Sequence, residues 1–196
     1  MALPESLKIL LAHGNSTTSL MLRKTLTDLG ADVLPDCPSF TDLIKTALGA
    51  NPDLIVTGVE LPGGNALNAL IEISQVRTVP AIIITPQRSL EIVEKALHDH
   101  VMAYLMEPVN LAEIEPTIFL VLKRFEQFQE LRQEVESLQQ ALASRKEIER
   151  AKGILMARYK EGEDAAHKRL RRRATDARMK LVDAAREVLA EQEAGK

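Results

Sequence analysis

The residues with the clearest chemical potential lie in one stretch near the C-terminus, Arg145 to Leu189. Lys152, Arg158, Lys168, Arg169, Arg172 and Arg178 recur through it. An arginine guanidinium grips phosphate with a planar fork or stacks on a base, and a lysine supplies a point charge. Such residues suit a nucleic acid, which presents dense phosphate and the faces and edges of its bases. Tyr159 is the one aromatic ring of the stretch. It offers a base a stacking face, or a small core a partial filler. Between Arg145 and Lys180 basic residues exceed acidic ones by about seven, while the whole chain carries a formal net charge of −3. An acidic body thus carries a basic tool. Each charge alone reads as a solvated helix residue. The cluster reads otherwise, because neighbouring carboxylates do not balance it.

Other chemistries find little support. Cys37 is the single cysteine, so no internal disulfide forms, and it reads as a small buried or surface residue. No nucleophile–base pair and no cluster with metal-ligand spacing stands out, so neither an enzyme nor a cofactor or metal site is expected. Aromatics make up 3% of the residues and tryptophan is absent, so nucleic-acid binding leans on Arg and Lys rather than on stacked rings. The N-terminus shows no basic region followed by a long apolar run, and no stretch approaches the roughly 18 apolar residues of a membrane span. A reducing, cytoplasmic location is expected.

The 196 residues, 45% of them apolar, allow one ordinary domain and a smaller module. The first segment alternates strand-like and helical patterns. Apolar runs at Lys8–Ala12, Ala31–Leu34, Asp53–Thr57, Ala81–Thr85 and Ala103–Met106 read as strands. Ser16–Leu29, Phe40–Leu48, Ala66–Gln75 and Leu90–His98 read as helices, with Gly30 and Gly49 as stops. Asn110 can cap a helix opening at Leu111, in which Pro116 costs a hydrogen bond or a kink. Strands apolar throughout, each followed by a helix, imply a parallel sheet covered on both faces. In such folds the site lies at the carboxyl ends of the strands.

The order and spacing resemble the receiver domain of bacterial response regulators over roughly residues 7–122. Receivers end the first strand with acidic residues that hold magnesium; here His13 and Gly14 stand there. Receivers place the phospho-accepting aspartate in a context like PDLxxxDxxLPxxxG; PDLIVTGVELPGGNA puts Gly58 at that position. Thr85 matches the hydroxyl position, and Glu107 before Pro108 replaces the lysine. Aspartyl phosphorylation needs a carboxylate nucleophile, a metal and a cation for the phosphoryl group. Gly58 offers no nucleophile, His13 and Gly14 offer no hard-oxygen pair for magnesium, and Glu107 repels phosphate. His13 shows no partner in the sequence and reads as a loop histidine; Glu60 reads as a solvated loop carboxylate. Thr85 and Tyr104 suit a two-position switch or simple packing. The resemblance is to a receiver without its chemistry.

Beyond Val121 the helical pattern runs on. Phe128, Leu131, Val135, Leu138 and Leu142 alternate spacings of three and four, the seam of a coiled coil. A parallel homodimer is expected, with an apolar stripe exposed on the monomer; one long helix packed back on its own domain is the alternative. Glu147–Ala157, Asp164–Ala174 and Ala177–Leu189 read as three short helices, broken by Lys160-Glu161-Gly162. IxxAKGILMxRY, AAHKRLRRRA and KLVDAAREVL resemble the ANTAR domain, a family of three-helix RNA-binding modules. The matching positions are Ala151, Lys152, Leu155, Met156, Arg158, Ala166, Leu170, Ala174, Ala185 and Leu189. The pattern's glycine directly after the aromatic position is missing here, where Lys160 follows Tyr159.

The expected architecture is a flavodoxin-like, doubly wound five-stranded parallel sheet (1–122), a coiled-coil helix (123–146) and a small three-helix domain (147–196). The layout is similar to that of the amidase-operon antiterminator family. That resemblance implies binding to paired hairpins in a nascent leader transcript, which prevents an overlapping terminator from forming. Control would then come from a ligand-sensing or kinase-like regulatory protein rather than from phosphorylation. Two other readings stay open: a protein-interaction module of response-regulator type without RNA binding, and a DNA-binding regulator, for which nothing beyond charge resembles a recognition helix.

Overall fold

The computed structural model describes Pro4, residues 6–86 and residues 101–194. The helix expected over Leu90–His98 lies outside the described residues. Two compact units are present, one up to Phe128 and one from Gln129 onward.

In the first unit the apolar runs form a five-stranded parallel sheet. Strands β1 (Lys8–Ala12), β2 (Asp32–Val33), β3 (Leu54–Gly58), β6 (Ala81–Thr85) and β7 (Val101–Met106) stand in the order β2-β1-β3-β6-β7. A two-residue pair, β4 (Glu60–Leu61) and β5 (Gly64–Asn65), forms a separate small hairpin around Pro62-Gly63. Every residue of β3 and β6 is buried, because the sheet is covered on both faces. The pleat sends alternate side chains to opposite layers. Leu10, Ile55 and Ile83 meet helices α2 (Phe40–Ala50) and α3 (Ala66–Val76) through Leu43, Ala47, Leu70 and Ile73. Ile9, Leu11, Val56 and Ile84 meet α1 (Ser16–Asp28) and the start of α4 (Leu111–Tyr159) through Leu22, Leu26, Ile114, Ile118 and Val121. Burying one such aliphatic side chain stabilises by about 1.5–3 kcal/mol. This is a flavodoxin-like, receiver-like fold.

Local chemistry sets the helix starts. Asn15, Ser39 and Asn65 cap α1, α2 and α3, their side-chain oxygens accepting backbone N–H groups of the first turn. Gly49 does not end α2, as its type suggested; the helix runs to Ala50 and Asn51 closes it with a φ of 52°. Asparagine tolerates the left-handed region, so it takes the role expected of glycine.

Helix α4 is one element of 49 residues, running through Pro116 to Tyr159. The coiled-coil segment and the first short helix of the sequence reading are thus parts of a single helix. The second unit holds the rest of α4 with α5 (Glu163–Asp176) and α6 (Leu181–Ala194). Its core is Ala151, Leu155, Ala166, Leu170, Ala174, Ala184, Ala185 and Val188. Small residues at these positions let the helices approach closely. The last helix opens at Leu181, not at Ala177. Ala177–Lys180 instead form the connection, with Arg178 at a φ of 53°. Phe128, Leu131, Val135, Leu138 and Leu142 are all exposed.

Candidate functional site

Two regions carry the candidate residues, one in each unit. In the first, strand register brings the four receiver positions to one edge. Ala12 pairs with Thr57, Gly58 with Ile84, and Thr85 with Met106. His13, Gly58, Thr85 and Glu107 therefore stand at the carboxyl ends of four neighbouring strands, at the crevice where β1 and β3 diverge in connection order. Thr85 is buried, and Tyr104 packs half-buried against the core layer of α2 and α3.

His13 has a partner after all. Its Nε2 lies 3.2 Å from Glu107 Oε1, and its side chain is 8% exposed. The Asn15 backbone N–H donates to His13 Nδ1 at 3.1 Å. Nδ1 therefore carries the lone pair, which leaves Nε2 as the protonated nitrogen, near the Glu107 carboxylate. The ring is held at Nδ1, faces Glu107 at Nε2 and crosses Gly58. A Cβ on Gly58 would lie 3.0 Å from His13 Cδ2 and 3.1 Å from Nε2. The imidazole fills the space that a side chain at position 58 needs. Gly14 has its own reason: a Cβ there would meet the Glu60 backbone oxygen at 2.9 Å. Glu60 itself is exposed, with Asn65 Nδ2 at 3.4 Å. Cys37 is buried near this edge; burial pushes its thiol above the ordinary value, and its Sγ lies 3.6 Å from the Pro35 carbonyl oxygen.

In the second unit the basic residues divide into two groups. The premise that carboxylates do not balance them is wrong for the first group. Lys152 is only 7% exposed. Its Nζ reaches Glu149 at 2.9 Å and Glu163 at 2.7 Å, so it ties α4 to the start of α5. The bond to Glu149, then that to Glu163, raises its pKa, and Lys152 holds the Glu163 carboxyl below its ordinary range. Arg158 pairs with Glu191 at 3.0 Å. Arg173 reaches Glu187 at 2.8 Å and Glu191 at 2.6 Å. Arg173 first, and Arg158 second, depress the Glu191 carboxyl. Arg186 joins Glu147 at 2.9 Å. These pairs link the helices around a core of small side chains.

Arg169 sits between the groups. Its Nε and Nη2 donate to the two carboxylate oxygens of Glu161, each at 2.9 Å. This hydrogen-bonded fork holds the Glu161 carboxyl below its usual range and pushes Arg169 up. The guanidinium carbon also lies 4.0 Å from the centre of the half-exposed Tyr159 ring. Sequence reasoning missed Glu161. Its place follows from the turn, where Lys160 takes a φ of 52° in place of the missing glycine.

The second group faces solvent. Among the described residues Lys168, Arg171 and Arg178 form no ion pair, and Arg172 approaches Asp176 only at 3.6 Å. On α5, Lys168, Arg171 and Arg172 lie opposite the buried row Ala166, Leu170 and Ala174. Exposed cations on one helix face, unmatched by carboxylates, favour contact with a polyanion.

Residues 136–189 match the ANTAR domain family, and residues 9–119 match the response regulator receiver domain family. The transcriptional regulatory protein PdtaR of Mycobacterium tuberculosis is 29% identical over 182 residues, which cover 93% of this chain and 89% of PdtaR. Among solved structures, the signal receiver domain of a modulated diguanylate cyclase from Desulfovibrio desulfuricans G20 has a TM-score of 0.58 at 19% identity, covering 63% of this chain and 98% of that one. A two-component response regulator from Clostridium difficile has a TM-score of 0.56 at 23% identity, covering 60% and 97%. At these identities the structural likeness speaks for the fold alone. With the receiver match spanning more than half of its length and a second match beyond it, the chain belongs to the response regulator receiver family and carries an ANTAR domain at its C-terminal end.

Proposed function

We propose that this chain is an RNA-binding transcription antitermination regulator that works without aspartyl phosphorylation. The observation that carries the reading is the exposed cation face of α5 and the turn after it, within the ANTAR-matched region: Lys168, Arg171 and Arg178 form no ion pair among the described residues, and Arg172 has only a long one to Asp176. Phosphates of a folded RNA would be held there. Arg158 and Lys152 act instead as ties between helices. The RNA expected from the family resemblance is a pair of small hairpins in a nascent leader, whose stabilisation precludes an overlapping terminator. The reading takes residues 1–122 as the silent receiver, 123–146 as the coiled coil and 147–196 as the RNA module.

Dimerisation follows from the stripe Phe128, Leu131, Val135, Leu138 and Leu142, which is apolar, exposed and spaced as a coiled-coil seam. A second copy covering it would bring two RNA modules into one particle, and two linked weak sites bind paired hairpins with avidity. Phosphorylation independence rests on Gly58 and on the His13–Glu107 pair that occupies its pocket. Control then falls to a ligand-sensing or kinase-like protein that masks the RNA face or the seam. A cytoplasmic location fits this role; among the described residues no helix is long and apolar enough to cross a membrane.

The test is binding of the full chain to a two-hairpin RNA and to duplex DNA of equal length across a salt series. The expected result is preference for RNA, with affinity falling as salt rises. No RNA preference at any salt would refute the reading and favour a protein-interaction module, and equal or tighter DNA binding would favour a DNA regulator.

A further inference from the structure

We propose that Arg169, fixed over the Tyr159 ring by Glu161, is a stacking platform for one unpaired RNA base. The proposal rests on the RNA-binding reading above and adds a second chemistry to it. Arg169 differs from the other cations in how it is held. Two of its in-plane donors are taken by Glu161 at 2.9 Å each, which fixes the plane of the guanidinium. One side of it is covered by the Tyr159 ring, at 4.0 Å from the guanidinium carbon to the ring centre. The Arg169 side chain is nevertheless 48% exposed, while that of Glu161 is 15% exposed. What remains for a ligand is the outer side of the guanidinium and its Nη1 edge.

The charge state of this group decides which part of an RNA it takes. Glu161 already occupies the fork that a phosphate would use and cancels the charge that would attract one. A phosphate would have to displace a well-held carboxylate. A base needs only a flat, rigid, polarisable surface, and every base has a π-face to lay on it. A guanidinium stacks on aromatic planes, so a base, the guanidinium and the Tyr159 ring make a three-layer stack. Its rigidity is preformed, which lowers the ordering cost of binding.

The surroundings fit this division. Lys168 and Arg172 are exposed on α5 one and three positions from Arg169. They are placed to hold the phosphates on either side of a stacked nucleotide. The turn that delivers Glu161 is built for its position: Lys160 takes the left-handed conformation, and the Glu161 N–H donates to the Met156 carbonyl at 3.3 Å. The region thus separates two tasks, phosphate holding by exposed cations and base stacking by a neutralised one.

The experiment uses the full chain and a two-hairpin RNA labelled with 5′-fluorescein for anisotropy, with 2-aminopurine placed at each loop position in turn. The wild-type protein is expected to quench 2-aminopurine at one loop position on binding. Arg169→Lys keeps the charge but loses the platform. It should abolish that quenching and weaken binding about tenfold, leaving the slope of log affinity against log salt unchanged. Tyr159→Phe should behave as wild type, and Tyr159→Leu should behave as Arg169→Lys. Glu161→Gln frees the fork and should steepen the salt slope by about 0.7–0.9 for one new phosphate contact. Arg172→Gln should flatten the slope and keep the quenching. RNA bound by the wild type with 2-aminopurine emission unchanged at every loop position overturns the platform, and that scan requires no variant. An Arg169→Lys protein with an altered salt slope and intact quenching also overturns it. Absence of binding by anisotropy at any salt refutes the RNA-binding reading itself, and the platform falls with it.

Discussion

The contact between His13 and Gly58 predicts a substitution whose effect changes sign with its neighbour. Gly58 does not use a positive φ, so its backbone accepts an alanine. Gly→Ala at a compatible position stabilises by about 0.4–1 kcal/mol through the unfolded chain. Here the new methyl would sit 3.0 Å from His13 Cδ2 and 3.1 Å from Nε2. The ring cannot swing aside freely, because Asn15 N–H holds Nδ1 and Glu107 faces Nε2. Overpacking of this kind costs about 1–3 kcal/mol. Gly58→Ala should therefore destabilise the receiver unit by about 0.5–2 kcal/mol. In a His13→Ala background the methyl meets no ring, and the same substitution should stabilise by about 0.4–1 kcal/mol. The coupling is then about 1–3 kcal/mol. Hydrogen exchange of the β3 amides reads this unit separately from the C-terminal one, and each tenfold change in protection is about 1.4 kcal/mol. Equal effects of Gly58→Ala with and without His13 would refute the reasoning. The same geometry makes Gly58→Asp a poor phospho-acceptor: the substitution supplies a carboxylate, but His13 fills the space it needs.

Three further outcomes are expected. Lys160 holds a left-handed conformation, so Lys160→Gly should stabilise the C-terminal unit by up to about 1 kcal/mol; an unchanged or lower melting temperature would count against this. Glu161, Glu163 and Glu191 have folded pKa values below the ordinary 4.5, each first through a hydrogen bond to Arg169, Lys152 or Arg173. Their contribution is full above the unfolded value and is lost as pH falls below about 4.5 through the folded values; a thermal midpoint of this unit that stays flat from pH 5 to pH 3 would contradict it. Replacing Leu131, Val135 and Leu138 together with polar residues should give monomers by sedimentation, and an unchanged mass in solution would remove the coiled-coil seam.

How far the sequence could be read depended on what sets each position. Strand ends follow from where the continuous apolar runs stop. The receiver resemblance then picks out His13, Gly58, Thr85 and Glu107 as one site from the sequence alone. That His13 reaches Glu107 was not legible there, because the two come together only through the order of strands β1, β3, β6 and β7. A glycine standing opposite a histidine at neighbouring strand ends was the available signal. Helix ends were legible where a capping asparagine or serine stood, and missed where Asn51 rather than Gly49 closed a helix.

Surface charge is the hardest case, and it matters most for function. Periodicity places a cation on a helix face, but its partner often lies on another helix. Arg158 and Arg173 both find Glu191, and Arg169 finds Glu161 across a turn. Counting charges along the chain treats all of these as available to RNA. Packing removes Lys152, Arg158 and Arg173 from that set and leaves Lys168, Arg171, Arg172 and Arg178 in it. The excess of positive charge survives this sorting, because each tie consumes carboxylate as well as cation. What changes is its distribution: the outer face of α5 and the turn after it keep Lys168, Arg171, Arg172 and Arg178, and α4 keeps the exposed Arg145, Lys146 and Arg150. A nucleic-acid interface is defined by that unspent charge, and it is visible only once the helices have taken their partners.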